Sequence, residues 1–210
     1  MAKKQKPAYF PLNQIISGGQ TGADIAGLIA AKRAGIETGG WIPNGFRTLA
    51  GNRPEYGEQY QLKEHSSDKY PPRTWANVAE ADATIRFALH WNSKGELLTL
   101  KAIEKLKKPA FAVDIALPIE PAKCADWLSQ NQIHILNVAG NSELSAPGIE
   151  SFVIDYLTEV FRLLAQMNQA SSSKNAPKSL SSKKNSGVAT KKRKPAKIED
   201  ELNSEQNGGI

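Results

Sequence analysis

Ile15-Ile16-Ser17-Gly18-Gly19-Gln20-Thr21-Gly22-Ala23-Asp24 is a short apolar run that ends in a glycine pair and passes at once into a helical pattern. That is the sequence form of a strand, a tight turn and a helix N-terminus. Ile25, Leu28 and Ile29 share one helical face, Lys32 and Arg33 fall in the last turn, and Gly35 suits the position after the helix. A junction of this kind points backbone N–H groups and the positive end of a helix dipole at one spot. Phosphate or another oxyanion is the ligand such a geometry suits best.

Working outward, short apolar runs bounded by Gly, Pro or Asn predict strands at 14–18, 36–42, 83–88, 109–114 and 134–139. Periodic patterns between them predict helices at 22–34, 73–81, 95–107, 121–130 and 147–168. Strands alternating with helices imply an α/β fold: a mainly parallel sheet with helices on both faces, three layers in all. Ligands of such sheets sit beyond the C-terminal ends of the strands. Residues 43–72 show little periodicity and many Gly, Pro, Asn and Tyr residues, which predicts an irregular segment lying over the ligand site. Three regions follow: an N-terminal extension at 1–12, a ligand-binding domain at 13–168 and a tail at 169–210. The Ser/Lys/Asn/Pro-rich tail has almost no large apolar residues and is expected to be disordered.

The 210 residues carry 27 Lys/Arg and 21 Asp/Glu, a formal charge of +6. Nine of the basic and four of the acidic residues lie in 169–210, so the first 168 residues hold 18 basic and 17 acidic and are nearly neutral. The basic character belongs to the tail. Lys191-Lys192-Arg193-Lys194-Pro195 reads as a solvated charged run, a nuclear import signal or a nucleic-acid contact. One cysteine, Cys124, excludes an internal disulfide and a multi-Cys metal site, and fits a reducing, cytoplasmic setting. No stretch approaches the about 18 apolar residues of a membrane span. Lys3, Lys4 and Lys6 are followed by no apolar core of a signal peptide.

Several further groups carry candidate chemistry. Gly18-Gly19-Gln20-Thr21-Gly22 lacks both the spacing of the dinucleotide fingerprint and the Lys of a Walker A loop, so it is either a ligand turn or a plain βα turn. Asp24 either satisfies the helix dipole or accepts from a ribose or pterin donor. Gly140, in Asn137-Val138-Ala139-Gly140-Asn141, marks a second strand end and turn before a helix opened by Pro147. Arg73 and Asn77 lie four apart on one helical face and offer a guanidinium fork and an amide. Trp41, Pro43, Asn44, Gly45, Phe46 and Arg47 suit either an aromatic wall for a flat heterocycle or a structural Trp with a solvated Arg. His65, His90 and His134 have no ligand spacing, and no directly bound metal is expected.

Read in order, Ser17 to Asp24, then Gly39-Gly40-Trp41-x-Pro43-x-Gly45, Tyr60-x-Leu62, and Tyr70-x-x-Arg73-Thr74-x-x-Asn77-Val78-x-x-x-Asp82-Ala83-Thr84 form a series. That series, over about residues 13–165, resembles the putative molybdenum carrier family, small Rossmann-like proteins of the SLOG type. The family is similar to molybdenum cofactor carriers and to lysine-decarboxylase-like phosphoribohydrolases. The resemblance implies a three-layer Rossmann-like fold and a small phosphorylated heterocycle as partner, either molybdenum cofactor or a nucleotide-like phosphate ligand. It implies phosphate contacts at Gly18, Gly19, Thr21 and Gly22, with Gln20, Asp24, Arg73, Asn77 and Gly140 completing the expected binding set.

Two departures bear on this. Ser93-Lys94-Gly95-Glu96 stands where relatives carry a Gly-Gly-Thr-like turn, and Gly140-Asn141-Ser142-Glu143-Leu144 lacks the Arg of the family's last turn. Both reduce anion attraction at the second turn. A carrier or binding protein is the leading expectation. An N-glycosidic hydrolase of nucleoside phosphates is the alternative, weakened by the absence of a contiguous Pro-Gly-Gly-x-Gly-Thr-x-x-Glu string. A tail-driven nucleic-acid binder is a third reading, and a homo-oligomer is compatible with such a domain.

Overall fold

The computed structural model describes residues 12–175, with side chains to 170. The expected extension before Leu12, and the tail beyond Asn175 with its Lys191–Lys194 run, lie outside the described residues. Among the described residues, fifteen elements follow one another. They are β1 Gln14–Ser17, α1 Ala23–Arg33, β2 Glu37–Gly39, β3 Trp41–Ile42, β4 Arg47–Thr48, β5 Gly51–Asn52, α2 Glu55–Tyr60, β6 Lys63–Glu64, α3 Tyr70–Glu80, β7 Ala83–Ala88, α4 Lys94–Leu106, β8 Ala110–Asp114, α5 Pro121–Gln130, β9 Ile135–Gly140 and α6 Ile149–Asn175.

The central sheet has the order β2-β1-β9-β7-β8 and every pairing in it is parallel. The last of the described strands, β9, therefore sits in the middle. If β9 and α6 were moved to the front of the chain, the order would read 3-2-1-4-5, that of a doubly wound Rossmann sheet. The strand order reverses between β9 and β7, so the crevice expected of such sheets opens beyond the ends of these two strands.

The two faces of the sheet differ sharply. Leu136 and Val138 of β9, with Ile85 and Phe87 of β7, join α1, α5 and α6 in the main apolar core. α6 supplies Ile149, Val153, Leu157 and Val160 from one stripe, as its amphipathic sequence requires. α1 packs very close to the sheet: a Cβ at Gly27 would lie 2.6 Å from the Val138 side chain. Strand residues alternate in direction, so Thr84, Arg86 and Asn137 turn to the opposite face, toward α3 and α4. Apolar packing there is small, a cluster of Val78, Ala102 and Ile103 backed by Trp75.

The five long strands stand within a residue or two of their sequence positions, with one exception. The run at 36–42 is broken at Gly40, whose φ of 119° brings it against Ser17: a Cβ there would lie 2.2 Å from the Ser17 carbonyl oxygen. β2 stays in the main sheet and β3 leaves it to pair with β6. Residues 43–72 are more regular than expected, with a β4–β5 hairpin and α2 inside them. Tyr60 and Leu62 from this region, with Ile42 of β3, pack on Ile25 and Leu28 of α1. α3 begins at Tyr70 rather than 73, because Pro71 and Pro72 occupy first-turn positions where no N–H is needed. α6 runs to Asn175 rather than ending at 168.

Candidate functional site

The first glycine turn is built around a carboxylate. Gly19 N donates to Ser17 Oγ at 3.1 Å, Thr21 N to Gln20 Oε1 at 3.0 Å, and Ala23 N to the Asn141 carbonyl at 3.1 Å. Asp24, in the first turn of α1, is 4% exposed. Burial raises its pKa, opposed by Arg73 and by the backbone N–H groups of Gln20 and Gly140. The turn thus places an oxyanion at the start of α1, and that oxyanion is the protein's own. Arg73 Nη1 lies 2.9 Å from Asp24 Oδ2. Its guanidinium runs across Gly18, where a Cβ would be 1.5 Å from Nη1. Gly18 is therefore fixed by close approach of an ion pair.

Gly22 and Gly140 have the same logic at the neighbouring turn. A Cβ on Gly22 would lie 2.5 Å from Glu143 N, and one on Gly140 would lie 2.1 Å from the Phe87 carbonyl oxygen. The two expected glycine turns touch each other. Asn141 ties the second turn to the loop after β7: its Oδ1 accepts from Leu89 N at 2.9 Å and His90 N at 2.8 Å.

Asn77 is 2% exposed, and its amide mimics a strand partner for Trp41. Its Oδ1 accepts from Trp41 N at 2.8 Å, and its Nδ2 donates to Trp41 O at 3.0 Å. The Trp41 indole donates to Glu80 Oε2 at 2.6 Å, Phe46 packs in the small cluster on α1, and Arg47 lies 3.9 Å from Asp68. None of these three lines the cleft described next; the aromatic residue that does is Tyr70, with the Arg73 guanidinium 5.8 Å from its ring centre.

A cleft of about 620 Å³ opens beyond β9 and runs inward between the sheet and α3 and α4. That volume is in the range of small-ligand sites. Of the expected residues, Gln20, Asp24, Arg73, Asn77 and Gly140 line it; Gly18, Gly19, Thr21 and Gly22 do not. Its mouth is formed by Ser93, Lys94 and Gly95 on one side and Ser142 and Ser145 on the other. Leu49 comes from the β4–β5 turn, where its N–H donates to Gln20 Oε1 at 2.8 Å. The α4 N-terminus is capped by Ser93, whose Oγ accepts from Glu96 N at 3.3 Å. A Cβ at Gly95 would meet nothing within 4 Å, so this helix start faces open space.

Glu96 does not confront an anion there. It is 1% exposed and turned inward, with Oε2 3.2 Å from Arg86 Nη1. Ser93 N donates to the His90 carbonyl instead of to Glu96, which leaves the carboxylate free to turn. Burial lifts its pKa to about 7, against the pull of Arg86 and with a further push from Asp24. Arg86 also stacks on Trp91, 5.2 Å from the ring centre. Two buried acid–arginine pairs are therefore present, Asp24–Arg73 in the lining of the cleft and Glu96–Arg86 outside it, and the Arg73 and Arg86 Nε atoms are sealed without a hydrogen-bond partner among the described residues.

Sequence reasoning missed the pairing of Arg86 and Glu96, and it gave no binding role to the floor residues Thr74, Thr99 and Asn137, although Thr74 and Asn137 stand inside the motifs it singled out. The only signal was alternation: Thr84, Arg86 and Asn137 are polar at the positions of apolar strands that face away from the main core. Among the described residues, no group of three His, Cys, Asp or Glu is placed to hold a metal ion, and no helix is long and apolar enough to cross a membrane.

The circularly permutated YpsA SLOG family matches residues 15–161. Among solved structures, the chain is similar to a "Putative molybdenum carrier protein" from Syntrophus aciditrophicus SB, with 35% identity and a TM-score of 0.65. The match covers 76% of this chain and 99% of that one. No curated protein matches the chain.

Proposed function

The chain belongs to the circularly permutated YpsA SLOG family, and from that premise we propose that it is a carrier or binding protein for a phosphorylated heterocycle, with molybdenum cofactor as cargo or a nucleotide in its place. The observation that carries this reading is the place of the cleft, at the point where the strand order reverses, and the residues that line it. It does not stop at the sheet rim but runs inward between β9 and α3/α4, where Leu98 and Ala139 are joined by the polar groups of Thr74, Thr99 and Asn137, a mixture that suits a flat ring with polar edges. Lys94 lines the cleft at the start of α4, where a cation and the free N–H groups of a helix start both favour an anion.

In this reading the ring lies inward and the phosphate outward, on Lys94 and the α4 N–H groups, with the Gln20 amide of the first turn closing the other side. Gly18 leaves room for the Arg73 guanidinium to reach Asp24. The Asp24 and Arg73 side chains form one wall. A molybdenum cofactor would be gripped through its pterin and phosphate, since the donors present suit those groups and no ligating cluster exists among the described residues. The proposed setting is the cytoplasm.

The hydrolase alternative needs a carboxylate free to act at the sugar. Asp24, the carboxylate that lines the cleft, is engaged by Arg73, and Glu96 is turned to Arg86. This favours binding over cleavage. Calorimetric titration of the full chain with pterin phosphates and nucleoside monophosphates tests the reading. Binding is expected, weakened about tenfold or more by Lys94→Glu, with no base released. Absence of binding by every member of the panel to folded protein, or affinity unchanged by Lys94→Glu, would contradict it.

A further inference from the structure

The floor of the cleft has a directional chemistry. Asn137 is 3% exposed and lines the cleft from the centre of β9. Its Nδ2 donates to Thr84 Oγ1 at 3.2 Å. Its Oδ1 has no hydrogen-bond partner among the described residues, yet it is not among the sealed unpartnered atoms, so it opens on the cleft. Thr74 and Thr99 line the same cleft from α3 and α4. Each commits its hydroxyl proton to its own helix: Thr74 Oγ1 donates to the Tyr70 carbonyl at 3.2 Å, and Thr99 Oγ1 to the Gly95 carbonyl at 2.9 Å. What these hydroxyls offer to the cleft is lone pairs. Of the other lining side chains with donors, the Asn77 amide is engaged at both ends by Trp41 and the Arg73 guanidinium is paired with Asp24.

A floor of acceptors is satisfied by a ligand edge of donors, and a buried acceptor left unmatched is costly. We propose that the buried end of the ligand is a heterocycle edge carrying adjacent N–H and NH2 donors, as in a 2-aminopyrimidin-4-one ring, read by Asn137 with Thr74 and Thr99. Such an edge is shared by guanine and by pterins. This inference rests on the reading of the cleft as a phosphorylated-heterocycle site and adds to it which ring edge is selected and by which residues. Asn137 acts as the specificity-determining residue.

The experiment is calorimetric titration of the full chain with GMP and with IMP, which differ by the ring NH2 group alone. GMP is expected to bind about tenfold tighter or more, because IMP leaves a floor acceptor unpaired. Asn137→Leu, and separately Thr99→Val, should reduce that ratio to about threefold or less, with circular dichroism confirming the fold. Thr99→Val removes one small acceptor and decides the matter if Asn137→Leu does not fold. Equal affinity of the wild-type protein for GMP and IMP would overturn this inference and leave the binding reading standing. An unchanged ratio in the folded variants would overturn the assignment to these residues. If neither nucleotide nor a pterin phosphate binds, the binding reading falls and this inference with it.

Discussion

Replacing Arg73 by Met removes the cation from a buried pair while keeping side-chain length. In the wild type the pair is 2.9 Å apart, with side chains 13% and 5% exposed. Breaking a buried ion pair by removing one partner costs about 3–5 kcal/mol, because a charge is left buried and uncompensated. Asp24 can escape that cost by taking up a proton. Starting from an ordinary value of 3.8, holding the carboxyl neutral at pH 7 costs about 4 kcal/mol at 1.36 kcal/mol for each pH unit, and at pH 5 about 2 kcal/mol. Protonation therefore sets a ceiling on the penalty that falls with pH. The sign follows from the direction of the shift. Burial already raises the Asp24 pKa, Arg73 restrains the rise, and Met removes the restraint. A raised carboxyl contributes stability that is fully present below the unfolded pKa and is lost as pH rises through the folded one. The variant must lose more than the wild type between pH 5 and pH 7. Urea unfolding followed by tryptophan fluorescence at both pH values measures this. The expected penalty is up to about 4 kcal/mol at pH 7 and about half that at pH 5. A penalty below about 1 kcal/mol at pH 7, or one that grows on acidification, would refute the argument that Asp24 is a charged, buried group neutralised by Arg73.

Glu96 should titrate with a midpoint of about 7, followed by carbon NMR of labelled glutamate; its raised value means that its contribution to stability is present below about pH 4.5 and is lost as pH rises toward 7. Gly140→Ala should cost about 3 kcal/mol or more in urea unfolding, because the new Cβ would lie 2.1 Å from a backbone carbonyl that cannot move without parting β7 from β9. Asn77→Leu should cost about 3 kcal/mol by leaving both backbone groups of Trp41 unpaired, and should speed hydrogen exchange at the Trp41 amide.

How much of this was legible beforehand depends on the residue. The strand at Ile15 and Ile16, the helix after Gly22 and the final amphipathic helix follow from periodicity and turn chemistry, because each is settled within its own segment. The central place of β9 was not legible, since strand order depends on which edges meet after the chain has crossed over. Arg73 and Asp24 were both expected in the binding site. What the sequence could not convey is that they neutralise each other across 49 positions, and that Gly18 is small to let the guanidinium pass. Asn77 is instructive in the same way. Its place in a motif marked it as important, but its importance lies in holding Trp41, a contact between β3 and α3 that no local pattern encodes. Glu96 looked like an anion-repelling residue at a helix start. Its inward turn toward Arg86 follows from a strand alternation that becomes visible once β7 is placed beside α4.

The central claim is that a phosphorylated heterocycle enters the cleft between the sheet and α3/α4. Amide chemical-shift mapping of the labelled full chain during titration with GMP tests it most directly. The account predicts saturable shifts at Ser93, Lys94 and Gly95 from the phosphate, and at the Asn137 side-chain amide and Thr99 from the ring. Shifts confined to the groove beside Leu12 and Phe161 on the far side of the domain, or no saturable shift at millimolar GMP, would contradict it.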